Sequence, residues 1–212
     1  MICSPSFLSS NFTKLKEEII SVKTARWLHF DVMDGKFVAN KTYDHRLVKT
    51  IKAYSHQFFD VHLMIENPED YYSDYVSAGA DLITFHYEAT NDIFNLIKAI
   101  KATNTKVGIS IKPDTDVRVL DPFLIDLDLI LIMSVEPGKG GQKFIPESAD
   151  KIKYLADKRA NFNYNYLIEV DGGINLETAK TVKNSGCDVI VVGSFLFNQK
   201  DRQSLIEDLE NV

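Results

Sequence analysis

Cysteine is almost missing: Cys3 and Cys187 are the only two in 212 residues. Both sit in apolar, strand-like surroundings, which predicts small buried side chains and no disulfide framework. Long apolar runs are also lacking. None approaches the ~20 residues that cross a bilayer, so no membrane partner is expected. The opening Met1-Ile2-Cys3-Ser4-Pro5-Ser6 has neither a basic start nor a sustained apolar stretch. It does not read as a secretory signal, and a cytoplasmic location is expected. Positive charge is not in surplus, with 24 Lys and Arg against 30 Asp and Glu and the signs mixed along the chain. A nucleic-acid face would need a clustered basic patch, so no nucleic-acid partner is expected. No linker or low-complexity segment divides the chain, which predicts one domain over residues 1–212.

What is present is an ordinary globular composition, 45% hydrophobic and 25% charged. A chain of this length buries roughly 70% of its unfolded surface, so its core needs no cross-links. Short β-branched runs predict strands at 2–6, 28–33, 59–65, 82–87, 107–112, 129–135, 166–171 and 189–197. Amphipathic stretches separate them. Phe12, Leu15, Ile19, Ile20 and Val22 form one; Ile93, Leu96, Ile97 and Ile100 another; Ile152, Leu155 and Ala156 a third. Asn67-Pro68-Glu69 predicts the start of the third helix and Asn175 a later cap, while Gly79 and Gly186 predict helix ends.

Eight strands, each followed by a helix, predict α/β architecture closed as a (β/α)8 TIM barrel. A doubly wound open sheet would place a glycine-rich turn after the first strand. Phe7-Leu8-Ser9-Ser10 stands there instead.

Active sites of such barrels lie at the C-terminal ends of the strands. Side chains two apart on a strand share a face. His29, Asp31 and Met33 therefore point one way, as do His62 with Met64, Glu169 with Asp171, and Leu131 with Met133. If those faces line the interior, His29, Asp31, His62 and Asp171 converge near its mouth. Two imidazoles and two carboxylates suit zinc, iron(II) or manganese. Gly172-Gly173 and Gly193-Ser194, near the ends of strands seven and eight, suggest a phosphate site. Glycines that only turn strand into helix would leave the same trace. Gly138-Lys139-Gly140-Gly141 adds a loop able to close over a ligand.

Several stretches, taken together and in order, resemble the ribulose-phosphate 3-epimerase family over nearly the whole chain. They are Ser4-Pro5-Ser6, His29-Phe30-Asp31-Val32-Met33-Asp34-Gly35-Lys36-Phe37-Val38, Asp60-Val61-His62-Leu63-Met64, Val135-Glu136-Pro137-Gly138, Gly140-Gly141-Gln142-Lys143-Phe144, Glu169-Val170-Asp171-Gly172-Gly173 and Gly193-Ser194. The resemblance implies a barrel of the ribulose-phosphate-binding type that interconverts D-ribulose 5-phosphate and D-xylulose 5-phosphate. It implies that His29, Asp31, His62 and Asp171 bind one divalent ion, zinc first, with iron(II), manganese or cobalt as alternatives. Asp31 and Asp171 would be the two acid/base groups. Ser6 and His62 would contact the sugar. Gly138, Lys139, Gly140, Gly141, Asp171, Gly172, Gly173, Gly193 and Ser194 would line the substrate and its phosphate, and Met33, Met64 and Met133 would pack against the reacting carbons. A dimer or hexamer is implied as well.

Four residues depart from the family pattern. Ala39 replaces a proline, Lys139 an aromatic, and Tyr43-Asp44 a Phe-Gly pair. None removes a ligand or a base. The alternatives are a 3-epimerase for a hexulose 6-phosphate such as allulose 6-phosphate, a sugar-phosphate decarboxylase, and a non-catalytic sugar-phosphate-binding barrel. Asp171-Gly172-Gly173 favours the pentulose. Met33 occupies the place of the decarboxylase lysine, and both carboxylates are present.

Overall fold

Apolar side chains alternate with polar or functional ones along most predicted strands, and the computed structural model, which describes residues 1–212, turns that alternation into two cores. Eight parallel strands form one sheet: β1 (Ile2–Pro5), β2 (Trp27–Met33), β3 (Phe58–Met64), β4 (Leu82–His86), β5 (Lys106–Ile111), β6 (Leu129–Met133), β7 (Leu167–Asp171) and β8 (Val189–Val192). From β2 to β8 each pairs with the next in sequence, and β8 pairs with β1. A parallel bridge between Ser6 and His29 joins the end of β1 to β2, which brings the sheet round into a barrel. The helices are α1 (Leu15–Ser21), α2 (His45–Lys52), α3 (Tyr72–Ala78), α4 (Ile93–Lys101), α5 (Ser148–Phe162), α6 (Leu176–Asn184), α7 (Ser194–Phe197) and α8 (Arg202–Glu210). None is long and apolar enough to cross a membrane.

The main core packs the outer faces of the strands against the helices. Leu28, Phe30 and Val32 of β2 and Phe59, Val61 and Leu63 of β3 are buried there with Val48 and Ile51 of α2. Truncating one such side chain to alanine costs about 2–5 kcal/mol. A smaller apolar cluster, Leu82, Leu129, Leu131, Met133 and Val135, is separate from it. These residues face the interior, on the side formed by β4 and β6. The opposite interior wall is polar: Ser4, His29, Asp31, Asp60, His62 and Glu169 are all buried. Cys3 and Cys187 are buried and free.

Asn175 caps α6 by accepting from the Glu177 and Thr178 amides. Gly79 and Gly186 follow α3 and α6 with positive φ, the conformation that ends helices and that glycine adopts without strain.

Four expectations need correction. The eighth strand stops at Val192, and Ser194–Phe197 is a short helix. Gly193 breaks the run there, and Leu196 and Phe197 are buried from a helical turn. No α-helix follows β5. The chain returns through two 3-10 turns, Val117–Leu120 and Leu124–Asp126. Pro122 stands between them, and proline does not continue a helix. Asn67 is left-handed, with φ 50° and no side-chain cap, and it precedes only a 3-10 turn, Pro68–Asp70, so α3 starts later. The first helical stretch is shorter than its apolar pattern: α1 starts at Leu15, and Phe12 and Ile20 are 43% and 50% exposed.

Candidate active site

Strands β2, β3 and β7 bring four predicted residues together. One ligand-capable atom from each of His29, Asp31, His62 and Asp171 lies within 4.8 Å of the others. Asp31 is the hub. Its Oδ2 accepts a 2.6 Å hydrogen bond from the Ser6 hydroxyl. Its Oδ1 lies 3.3 Å from His29 Nε2 and 3.2 Å from His62 Nδ1. Both imidazoles are fully buried.

The donor set fits a divalent cation. His29 Nε2 is buried without a hydrogen-bond partner, while the other ring nitrogen is engaged by Asp60 at 2.5 Å. A buried polar atom left over in this way carries a penalty of about 1–3 kcal/mol unless something satisfies it.

The two carboxylates differ electrically. Burial opposes ionisation of Asp31, but the charge and hydrogen bonds of His29 and His62 outweigh it and hold Asp31 below the usual carboxylate range. Burial, and then the negative charge of Asp31, push Asp171 up to about 7. Burial would lower His29, yet Asp60 and Asp31 beside it hold it well above its ordinary value. Burial pushes His62 down, and His86 down to about 4.

Above this cluster is a pocket. Ser6, Asp31, Met33, Met64, Met133 and Asp171 form its floor, and Gly138, Lys139, Gly140, Gly141, Gly172, Gly173, Gly193 and Ser194 come from the surrounding loops. His29 and His62 are not on its surface but lie behind Asp31. The glycine-rich loop after β6 is tied down more than its composition suggests. Gln142 Nε2 donates to the carbonyls of Glu136 and Lys139, and Asn40 Nδ2 donates to that of Gly138, each at 2.7 Å. The backbones are close as well: a Cβ at Gly173 would collide with the backbone nitrogen of Phe144.

Several site residues were not anticipated. Ser9 and Gln142 line the pocket. Asp60, His86 and Glu169 are fully buried in the interior. Burial and the neighbouring charge of Asp60 push Glu169 well above its ordinary value. Strand parity placed Glu169 on the face of Asp171 without giving it a role, and it could have found the other two, since Asp60 shares a face with His62, and His86 with Thr84.

Comparison with known proteins agrees with this picture. The sequence model of the ribulose-phosphate 3 epimerase family matches residues 2–197. The ribulose-phosphate 3-epimerase of Treponema pallidum is 41% identical over 207 residues, covering 97% of this chain and 95% of that one. The Bacillus subtilis protein of the same name is 41% identical over 211 residues, covering 97% and 96%. Among solved structures, a 3-hexulose-6-phosphate synthase superposes with a TM-score of 0.70 at 16% identity, covering 100% of this chain and 99% of that one. The KGPDC of Streptococcus mutans, in complex with D-R5P, reaches 0.75 at 14% identity, covering 99% and 95%. At such identities the structural likeness speaks for the barrel alone.

Proposed function

Because the chain belongs to the ribulose-phosphate 3-epimerase family and is an isomerase acting on carbohydrates, we propose that it interconverts D-ribulose 5-phosphate and D-xylulose 5-phosphate by two-base proton transfer at carbon 3. The observation that carries this reading is the placing of Asp31 and Asp171. Asp31 lies near the C-terminal end of β2 and Asp171 ends β7, three strands further round the barrel, and both open onto the same pocket. Inverting a carbon needs one group to take the proton from one face and another to return a proton to the other. The C2 carbonyl makes the C3 proton acidic, and its loss leaves a planar enediolate that either carboxylate can reprotonate.

The remaining residues position and shield. His29, Asp31, His62 and Asp171 would hold one divalent ion, zinc first among zinc, iron(II), manganese and cobalt, which when bound supplies positive charge beside the C2 carbonyl. Ser6 holds the Asp31 carboxylate in its orientation. Met33, Met64 and Met133 give the reacting carbons an apolar, polarisable wall that limits access of water. The backbone amides of Gly172, Gly173, Gly193 and Ser194 would bind the phosphate, and the Gly138–Gly141 loop would cover the sugar. Phosphate binding at the far end holds C3 between the two carboxylates.

The test compares kcat/KM for ribulose 5-phosphate, allulose 6-phosphate and free ribulose on one preparation. Ribulose 5-phosphate should be the best of the three. A lead for allulose 6-phosphate would overturn the pentulose assignment. Equal rates for ribulose and its phosphate would overturn the phosphate site.

A further inference from the structure

Two hydrogen-bonded chains reach the imidazoles behind Asp31, and they engage different ring nitrogens. On one side, Asp60 Oδ2 meets His29 Nδ1 at 2.5 Å. On the other, Glu88 Oε2 faces His86 Nδ1 at 3.3 Å, and His86 Nε2 meets His62 Nε2 at 2.9 Å. The second oxygen of Glu88 is already committed: Oε1 accepts from the Lys112 amide at 2.9 Å and from the Thr115 hydroxyl. Phe37 packs on the His86 ring at 4.8 Å between centroids, which limits its rotation.

A carboxylate only accepts, and a neutral imidazole donates from one nitrogen and accepts at the other. These two facts give each chain a single sense. Once His29 is neutral, as a metal ligand must be, Asp60 keeps its remaining proton on Nδ1 and leaves a lone pair on Nε2. Glu88 keeps the His86 proton on Nδ1, so His86 Nε2 can only accept. His62 must then donate from Nε2, and its lone pair falls on Nδ1. The two atoms set free, His29 Nε2 and His62 Nδ1, are the ones that lie 3.3 and 3.2 Å from the same Asp31 oxygen. Acceptors aimed at one another repel, and a cation among them converts the repulsion into binding.

We propose that Asp60, and the His86–Glu88 pair, are positioning residues that hold His29 and His62 in opposite tautomers, so that His29 offers Nε2 and His62 offers Nδ1 to the divalent ion. This rests on the ligand set assigned above and adds what orients it. None of the three residues lines the pocket. They act through the histidines, as hydrogen-bond partners behind metal ligands do.

The experiment loads full-length protein, labelled with nitrogen-15 in histidine, with cadmium-113 alone and reads cadmium–nitrogen couplings by NMR. Two rings should couple, His29 through Nε2 and His62 through Nδ1. Glu88→Gln supplies the second arm. Its single amide oxygen is drawn to the Lys112 and Thr115 donors, so its NH2 faces His86 Nδ1 and reverses the chain. Cadmium affinity should then fall about 10- to 100-fold, with the His62 coupling lost and the His29 coupling kept. Coupling through Nε2 of both rings overturns the proposal and leaves the ligand set standing. So does a Glu88→Gln protein with unchanged affinity and couplings. Absence of coupling from both rings overturns the ligand set and the proposal together. If Glu88→Gln folds poorly, the couplings of the unmutated protein decide.

Discussion

Ser6→Ala isolates one contact of the catalytic cluster. The Ser6 hydroxyl donates to Asp31 Oδ2 at 2.6 Å, and the two residues are only 5% and 3% exposed. A hydrogen bond to a charged acceptor contributes about 1.5–3 kcal/mol. Alanine removes the donor and leaves the Cβ in place, so the backbone bridge between Ser6 and His29 is not disturbed. Both residues open onto the pocket, and water entering there recovers part of the loss. The low end of the range is therefore expected, about 1.5 kcal/mol, or roughly a tenfold fall in kcat/KM. The fall should be in kcat, because the contact fixes the carboxylate that moves the proton. Ser6→Thr keeps a hydroxyl and should restore most of the activity. The assay is a coupled measurement of kcat and KM in both directions. A raised KM with unchanged kcat would refute the argument, since it would mean that Ser6 binds the sugar without orienting Asp31.

Asp31→Asn and Asp171→Asn should each lower kcat by about 10²–10⁴-fold, the usual range for a general acid or base, with metal content measured alongside. Turnover in heavy water should place deuterium at carbon 3, and its absence from recovered substrate and product would contradict proton exchange through the carboxylates. Chelation should abolish activity, and zinc, iron(II), manganese or cobalt should restore it. His29 is held above its ordinary pKa by Asp60 and Asp31, and its Nε2 proton must leave before a metal binds. Metal affinity should therefore weaken as pH falls through that pKa, by about tenfold per pH unit; flat affinity in a calorimetric titration across neutral pH would argue against His29 as a ligand. Ser194→Ala should cost only about 0.5–3 kcal/mol in substrate binding. Gly173→Ala should do more harm, because its Cβ would meet the Phe144 backbone; equal KM values for the two variants would disprove the tight approach of those loops.

The barrel was legible because alternation is simple. Leu28, Phe30 and Val32 face the helices while His29, Asp31 and Met33 face inward, and two-residue counting finds both sets. The errors have physical causes. Phe195-Leu196-Phe197 extends the apolar run of β8, and a four-residue helix is too short to show a helical period. Val117, Leu120 and Leu124 are spaced as in a helix, yet Pro122 divides them into separate turns. Asn67 looks like a cap in sequence, but its left-handed backbone turns the side chain away from that role. The ring contacts behind Asp31 were harder still. That His62 meets His86 depends on the register of β3 against β4, which pairs His62 with Thr84, and register is not written in either strand alone.

The split interior explains why this register matters. One wall is apolar, with Leu82, Leu129, Leu131 and Met133. The rest of the interior holds Asp60, His29, His62, His86 and Glu169, all fully buried. Burying charged or polar groups costs stability unless they are paired, and a barrel interior filled with aliphatic side chains would be more stable. The polar wall is therefore evidence of function. Its members are ordered by what they face. Glu169 lies next to Asp60, and burial together with that charge pushes its carboxyl well above the usual range, which disfavours a second negative charge beneath the cluster. Asp60 stays close to His29 Nδ1, and Asp31 remains the one carboxylate between both histidines. The outer core of strands and helices, 49 buried residues, stabilises the fold strongly enough to carry that wall. A variant that removes only the member of the wall without a hydrogen-bond partner, Glu169→Leu, leaves Asp31, Asp171 and the Asp60–His29 pair intact and should therefore melt at the same or a higher temperature. A lower melting temperature in that variant would show that the polar wall supports the barrel rather than the site.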